Sequence, residues 1–465
     1  MKSIKRKNAI IIIIYIIALI IFNVKMDYYQ SYIQDYSDEY SHIAYMAYLK
    51  QTKHIIPEFK EMREFKNLQS KYKKISNIDY EERLDRKSIE FMETGEDTTQ
   101  EFDEESVNHL GHPPLYYHIM NLSNFVHTQD GKITFNFRGI RNTTQFLANI
   151  AMIIAFYVGY RKLKSITANF AYAIILVNIP LISLTCSAIT NDTLSFIGMG
   201  IFIIGAMRLE EKNRNYLTYL LIGLGTFICC FSKLTTSLIL FIAYILIIIL
   251  LLIREKNLKF IFCKQALVTL PAFFMILGYY AIIYSRYGVL NPSIVHLAPE
   301  YYKQTKFFND TIYKPAYTLK FYANHFWRKF FEYWTGFNNG KPYARHTQNY
   351  KLVVSGIVFI APFVHFIYQK LKRQKIDIVN ISICIGTFIT MIVQFVRQYM
   401  EFHALSGFLG GFHSRYYICA MPTFLLLITK IIEKSIENDN KNIKKCIYIG
   451  TSILYVGLLQ YILNQ

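Results

Sequence analysis

Long apolar runs separated by short polar connections dominate the chain. The first, "NAIIIIIYIIALIIFNV" at 8–24, is followed by runs at roughly 139–160, 166–186, 192–207, 216–232, 234–253, 265–285, 351–369, 377–396, 415–432 and 446–462. Each is near the length that crosses a hydrocarbon core of roughly 30 Å as a helix. The pattern therefore predicts an all-α fold, a polytopic transmembrane helical bundle of about eleven spans. It divides the chain into an N-terminal anchor (1–26), a first external loop (27–138), spans two to seven (139–285), a second external loop (286–350) and spans eight to eleven (351–465). No small-residue cleavage site follows the first run, so it reads as a retained anchor rather than a signal peptide.

Charge supplies the sidedness. Lys2, Lys5, Arg6 and Lys7 precede the first run, and basic clusters recur at "RKLK" 161–164, Arg208–Arg214, Arg254–Lys264, "QKLKRQK" 369–375 and Lys434–Lys445. Every second connection is thus basic, as an N-terminus inside and a C-terminus outside require when short cytoplasmic loops hold Lys and Arg. A composition of 53% hydrophobic residues and a formal net charge of +19 fit that topology, and the charge needs no nucleic acid to explain it. The seven cysteines lack the spacing of a disulfide framework or a zinc site.

The long external connections hold the candidate chemistry. The first opens with "SDEYSHIAYMAYLKQTKHIIP", passes through a Lys/Glu-rich stretch that reads as solvated, and closes with "GHPPLYYHI". Its apolar and aromatic spacing after Asp38 predicts short helices lying in the membrane interface. The second contains "FYANHFWRKFFEYW", which suits an aromatic belt at the membrane surface or a cover over a lipid-linked substrate. Ionisable residues are nearly absent from span interiors, whereas Asp192, Lys233, Arg397 and Arg415 fall at expected outer ends, on the face that holds Asp38 and Glu39. A transporter would place such groups in mid-span. Chemistry at the outer surface explains their position.

Plain structural roles also suit these residues. Asp38 and Glu39 are apt for the start of a surface helix, Asn191 and Asp192 for a helix cap, and Lys233 and Arg415 for snorkelling to headgroups. His42 fits a polar interfacial position, and His112 one fixed by Pro113 and Pro114.

"SDEYSHIAYMAYLKQTKHIIP", "GHPPLYYHI", "AITNDTLS", "SKLTT" and "RYYICAMP", in that order over about 27–430, resemble the C-type (GT-C) membrane glycosyltransferases, closest to the protein mannosyltransferase and lipid A aminoarabinose transferase branch. That resemblance implies a multi-pass protein of a plasma membrane, a polyprenyl-phosphate-linked sugar donor and a lipid, protein or polysaccharide acceptor of the cell envelope. It makes Asp38 the catalytic base or a metal holder and Glu39 its catalytic neighbour, orienting acceptor or donor. His112, Arg415 and Tyr416 become substrate-binding residues, with Asp192 and Lys233 beside them. A divalent cation, if used, would draw on Asp38 and His42. Tyr40 stands where relatives often have proline, and Glu104 and Glu105 lie further from His112 than the usual second acid. The chemistry asks for one base on the acceptor hydroxyl and a cation facing the departing phosphate, for which a guanidinium offers two parallel hydrogen bonds. One displacement of this kind inverts the anomeric centre. The alternative is a lipid-linked-sugar flippase or transporter without catalysis.

The topology makes its own prediction. Single cysteines in the loop holding Asp38 and in the loop before Arg415 should both react with a membrane-impermeant maleimide from the same side; labelling from opposite sides would refute the arrangement.

Overall fold

A computed structural model describes residues 2–32, 39–58, 90–94, 111–129, 132–292, 318–334, 349–405 and 413–437. The chain is a helical bundle. Among the described residues seven helices are long and apolar enough to cross a membrane, or eight if a bent pair counts as one span. These are contained in α1 (Lys2–Tyr32), α4 (Phe137–Lys162), α7 (Asp192–Glu210), α9 (Leu234–Glu255), α10 (Leu270–Tyr287, with the 3₁₀ turn Lys264–Thr269 before it), α13 (Ile378–Leu405) and α14 (Met421–Glu437, with the 3₁₀ turn Ser414–Ala420). The bent pair is α5 (Ile166–Asn178) and α6 (Pro180–Ser187), which meet at 53°. Pro180 cannot donate to the preceding turn, and Ile179 before it is extended (φ −69°, ψ 114°), so the run at 166–186 breaks there. The runs at 216–232 and 351–369 become α8 (Tyr216–Ser232) and part of α12 (Asn349–Leu371), each contributing a 17-residue apolar helix. The run at 446–462 lies outside the described residues, so about eleven spans is not the number established.

Two belts of buried charge fix the bundle, one at each end. α7 separates them: its 19 residues rise about 27 Å from Asp192 to Glu210. At the Glu210 end, Glu210 meets Lys162 at 3.1 Å and Arg254 at 3.6 Å, Lys162 also reaches Asp377, and Lys430 closes on Asp377. Glu433 accepts the backbone N–H groups of Lys164 and Ser165 at 2.8 and 2.7 Å. Burial alone would raise the Asp377 carboxyl, but Lys430 and Lys162 outweigh it and hold it below the ordinary carboxylate range. This is the end where Arg161–Lys164, Arg208–Arg214, Arg254–Lys264 and Lys370–Lys375 gather, and it is called the basic end below. The opposite end carries the candidate site.

The first long connection differs from the expected set of interfacial helices. It contains α2 (Glu39–Thr52) and α3 (Leu115–Asn121), but also an antiparallel sheet of β1 (Glu90–Thr94), β2 (Val126–Gln129) and β3 (Lys132–Asn136) in the order β1-β3-β2. Phe135 of β3 pairs with both Phe91 and Val126. β3 runs straight into α4, whose start is capped by Asn136 accepting the Gly139 N–H at 2.7 Å. Nor does α2 lie half in lipid: Ile43 and every residue from Tyr45 to Leu49 are buried. A surface helix would expose one side; this one is covered by α3 and β2.

The aromatic segment of the second connection forms α11 (Leu319–Trp334). Tyr322, Phe326, Phe330 and Trp334 recur every fourth residue, one stripe of a helix, and all are buried. Their rings pack on Phe395 and Tyr399 of α13, Phe359 of α12 and Phe424 of α14 at centroid distances of 5.1–5.6 Å. The belt is therefore part of the bundle.

Among the described residues, α7 and α8 pack with their backbones in close approach. A Cβ on Gly225 would lie 2.4 Å from the Phe202 backbone nitrogen, and one on Gly205 2.8 Å from that of Ile222. Such approach of two backbones is what small residues permit in membrane helices. Gly225→Leu should force the pair apart and lower the thermal midpoint in detergent by several degrees, whereas Gly278→Ala, where an added Cβ meets nothing within 4 Å, should leave it unchanged. Equal midpoints for both variants would refute this packing.

Candidate functional site

Asp38 lies outside the described residues. Glu39, its neighbour, opens α2 fully buried and takes Arg141 of α4 in a two-pronged grip, Nε to Oε1 at 2.8 Å and Nη2 to Oε2 at 2.5 Å. Oε1 also accepts the Ile189 N–H at 2.9 Å from the turn between α6 and α7. Arg141 Nη1 donates to the Gln30 carbonyl of α1 at 3.2 Å, and its guanidinium stands 4.4 Å over the Phe137 ring. One carboxylate thus fastens four segments. Both of its oxygens are engaged, which makes Glu39 a clasp at the position expected to help catalysis.

One turn along α2, His42 is buried, not lying at an interface, and its Nδ1 is 2.9 Å from the Tyr117 hydroxyl. That hydroxyl is also 3.4 Å from Nδ1 of His112. Tyr45 donates to the His112 carbonyl at 2.9 Å, and its ring packs at a tilt against Tyr117 with centroids 3.9 Å apart. Desolvation pushes the Tyr45 and Tyr116 phenols well above their ordinary value, so both remain O–H groups at neutral pH. Gly111 permits the chain to approach Pro292: a Cβ there would sit 2.2 Å from the Pro292 carbonyl oxygen. His112 is accordingly held by more than its two prolines.

The turn before α7 faces the break between α8 and α9 through two successive rungs. Asn191 Nδ2 donates to the Ser232 carbonyl at 2.8 Å and contacts His112 Nδ1 at 3.2 Å. An amide nitrogen that donates to Nδ1 requires His112 to carry its proton on Nε2. The next rung is the ion pair of Asp192 Oδ1 with Lys233 Nζ at 2.5 Å. Asp192 Oδ2 accepts from the Thr190 hydroxyl at 3.0 Å, and Lys233 is extended (φ −158°), which is where the helix breaks. Asn191 makes no side-chain capping bond, and Lys233 is ion-paired and 5% exposed instead of snorkelling. Lys233 Nζ lies 4.4 Å over the Tyr416 ring, and the Arg415 guanidinium also stands beside that ring, with Cζ at 5.7 Å. Arg415 and Tyr416 are half-buried.

Six residues singled out in the sequence, Glu39, His42, His112, Asp192, Lys233 and Tyr416, therefore meet at one end of the bundle with Arg415 beside them. Arg141 and Tyr117 are the members that sequence reasoning missed. Arg141 had a visible signal, a cation inside the apolar run at 139–160; Tyr117 had none beyond its nearness to the proline pair. Among the described residues no group of three or more His, Cys, Asp or Glu could hold a metal ion. The described acids, Glu39 and Asp192, turn to Arg141 and Lys233, and Asp38, the metal holder expected beside His42, lies outside the described residues.

Compared with family models, curated proteins and solved structures, the chain finds no match in any of the three.

A buried carboxylate and guanidinium gripped in this way are costly to separate, about 3–5 kcal/mol when one partner is removed. Glu39→Gln and Arg141→Gln should each lower the thermal midpoint, and the double variant should lose little more than either alone. Additive losses would show that the two do not act as a pair.

Proposed function

We propose that the protein is an integral membrane glycosyltransferase of the C type, transferring a hexosyl or pentosyl group from a polyprenyl-phosphate donor to an acceptor at the end of the bundle opposite the basic loops. The observation that carries this reading is the convergence of His42, His112, Asp192, Lys233 and Tyr416 at the end where Asp38 precedes the Glu39 clasp. On the positive-inside rule, the basic end is cytoplasmic and the site faces outward from a plasma membrane. The donor's polyprenyl tail stays in the lipid, and an acceptor lipid, protein or polysaccharide arrives from the water.

In this reading Asp38 is the base. It removes the proton from the acceptor hydroxyl as that oxygen attacks the anomeric carbon; the bond from that carbon to the phosphate oxygen breaks, and the phosphate leaves with the electron pair. One displacement inverts the centre. The Glu39 grip on Arg141 and Ile189 fixes the start of α2 next to that base. Lys233 is committed to Asp192, which leaves Arg415, half-buried against Tyr416, as the better candidate to receive the phosphate through its planar fork.

The test is transfer from a panel of labelled polyprenyl-phosphate sugars by the purified protein in liposomes. Wild-type protein should transfer at least one of them. Asp38→Asn should reduce the rate by about 10²–10⁴-fold, the range of a lost general base. Arg415→Lys should cost roughly a hundredfold or more, because a point charge replaces the fork. Near-normal transfer by Asp38→Asn would refute the assignment of the base, and movement of the lipid-linked sugar across the bilayer without transfer would favour the flippase.

A further inference from the structure

A second surface lies at the basic end, away from the candidate site. The connection from α9 to α10, residues 256–269, carries Lys256, Lys259 and Lys264, all exposed, and among the described residues none of the three is ion-paired. Neighbouring cations of the belt do have carboxylates, Arg254 with Glu210 and Arg214 with Glu255. Between the three lysines and just beyond them stand large apolar side chains that the fold leaves open: Leu258 is 52% exposed, Phe262 80% and Leu267 60%.

The connection is pinned to the bundle, so this exposure is built into it. Lys256 is left-handed (φ 50°) and closes α9 on the Leu252 carbonyl. Phe260 is buried, its carbonyl accepts the Tyr219 hydroxyl at 2.5 Å, and the Arg214 guanidinium stands 5.5 Å from its ring. The Phe262 N–H returns to the Leu258 carbonyl at 3.2 Å, which makes 258–262 a single helical turn. On such a turn Leu258 and Phe262 share a side, Lys259 stands about 100° from Leu258, and the buried Phe260 lies roughly opposite. The 3₁₀ turn Lys264–Thr269 repeats the arrangement. With three residues per turn, Lys264, Leu267 and Leu270 fall in one row, and all are exposed. Thr269, off that row, is buried against α8, its Cα 3.3 Å from where a Cβ on Gly223 would stand. The row runs on down α10 as Leu270, Phe274 and Leu277, exposed at the i, i+4 and i+7 positions of a helix long and apolar enough to cross a membrane.

Each turn thus shows apolar groups and a cation on its outward side. A soluble partner would have to cover a surface that passes without a break into the lipid-facing side of α10. Acyl chains suit Leu258, Phe262 and Leu267, and lipid phosphates suit the three ammonium groups. The geometry points to a membrane-surface foot: residues 256–269 lie in the leaflet at the basic end, with Leu258, Phe262 and Leu267 among the acyl chains and Lys256, Lys259 and Lys264 on anionic lipid headgroups. The foot is independent of the catalytic reading.

Two measurements on the full chain test it. In nanodiscs of phosphatidylcholine and phosphatidylglycerol, Phe262→Trp adds a third tryptophan to Trp327 and Trp334; brominated acyl chains should quench the added fluorescence nearly as strongly as that of Leu277→Trp within the span. In native mass spectrometry from detergent, phosphatidylglycerol should be retained over phosphatidylcholine, and Lys259→Gln and Lys264→Gln should each weaken that retention by about fivefold, the usual effect of one cation at a membrane surface. Lys320→Gln, which removes an exposed cation of α11, should retain it as wild type does. Every side chain changed here is exposed, so packing is spared. No quenching of Phe262→Trp beyond wild type, equal retention of the two lipids, or equal loss in Lys320→Gln and Lys259→Gln would each overturn the proposal, the first by leaving the connection in water or under another partner.

Discussion

A charge inside a membrane protein must be paired or carried to an end, and in this chain both solutions are used at once. The buried pair of Glu39 and Arg141 is the interaction on which the rest of the outer end depends. It joins α1, α2, α4 and the turn before α7 at one point. Without it, α2 would lose its ionic tie to α4 and, through Arg141, to α1, and its direct hydrogen bond to the turn before α7. Taking the two charges out of water is expensive, and the grip offsets that expense only because both prongs and the Ile189 N–H are satisfied together. Such a pair contributes less to stability than to choosing one arrangement of the loop.

From that clasp the geometry propagates in short steps. Fixing α2 sets His42; His42 and His112 share the Tyr117 hydroxyl; His112 meets Asn191; and Asn191 and Asp192 hold Ser232 and Lys233 as consecutive rungs. Each link is a polar contact among apolar neighbours, so each has a low tolerance for being left unmade. The belt of Glu210, Asp377, Lys162 and Lys430 does the same for the opposite end, and the rigid α7 keeps the two belts about 27 Å apart.

Much of the bundle was legible because hydropathy runs and basic connections are local signals. The helices α1, α4, α7 and α9 fall where the runs at 8–24, 139–160, 192–207 and 234–253 predicted them, and the basic clusters gather at one end. The gathering of Asp192 with Lys233 could be anticipated from sidedness alone, since both fall at outer span ends. The partners could not. Arg141 and Glu39 are 102 residues apart and Tyr117 and His42 are 75 apart, and no periodicity links such pairs. The sheet escaped notice because β2 and β3 are only four and five residues long. The burial of α2 escaped it because its Tyr and Met positions suit a membrane interface as well as a protein interior. The aromatic segment at 319–334 was ambiguous for the same reason, and its packing on Phe359, Phe395, Tyr399 and Phe424 of other helices settles it as core.

The most direct measurement of the central claim, that the Glu39 clasp docks the first connection on the bundle, is hydrogen exchange read segment by segment by mass spectrometry. In wild-type protein the amides of α2 and α3 should be protected as strongly as those at the ends of α4 and α7, and in Arg141→Gln they should open together while the middles of α7 and α9 stay protected. Fast exchange of α2 in the wild type, or protection of α2 that is unchanged in Arg141→Gln, would contradict the account.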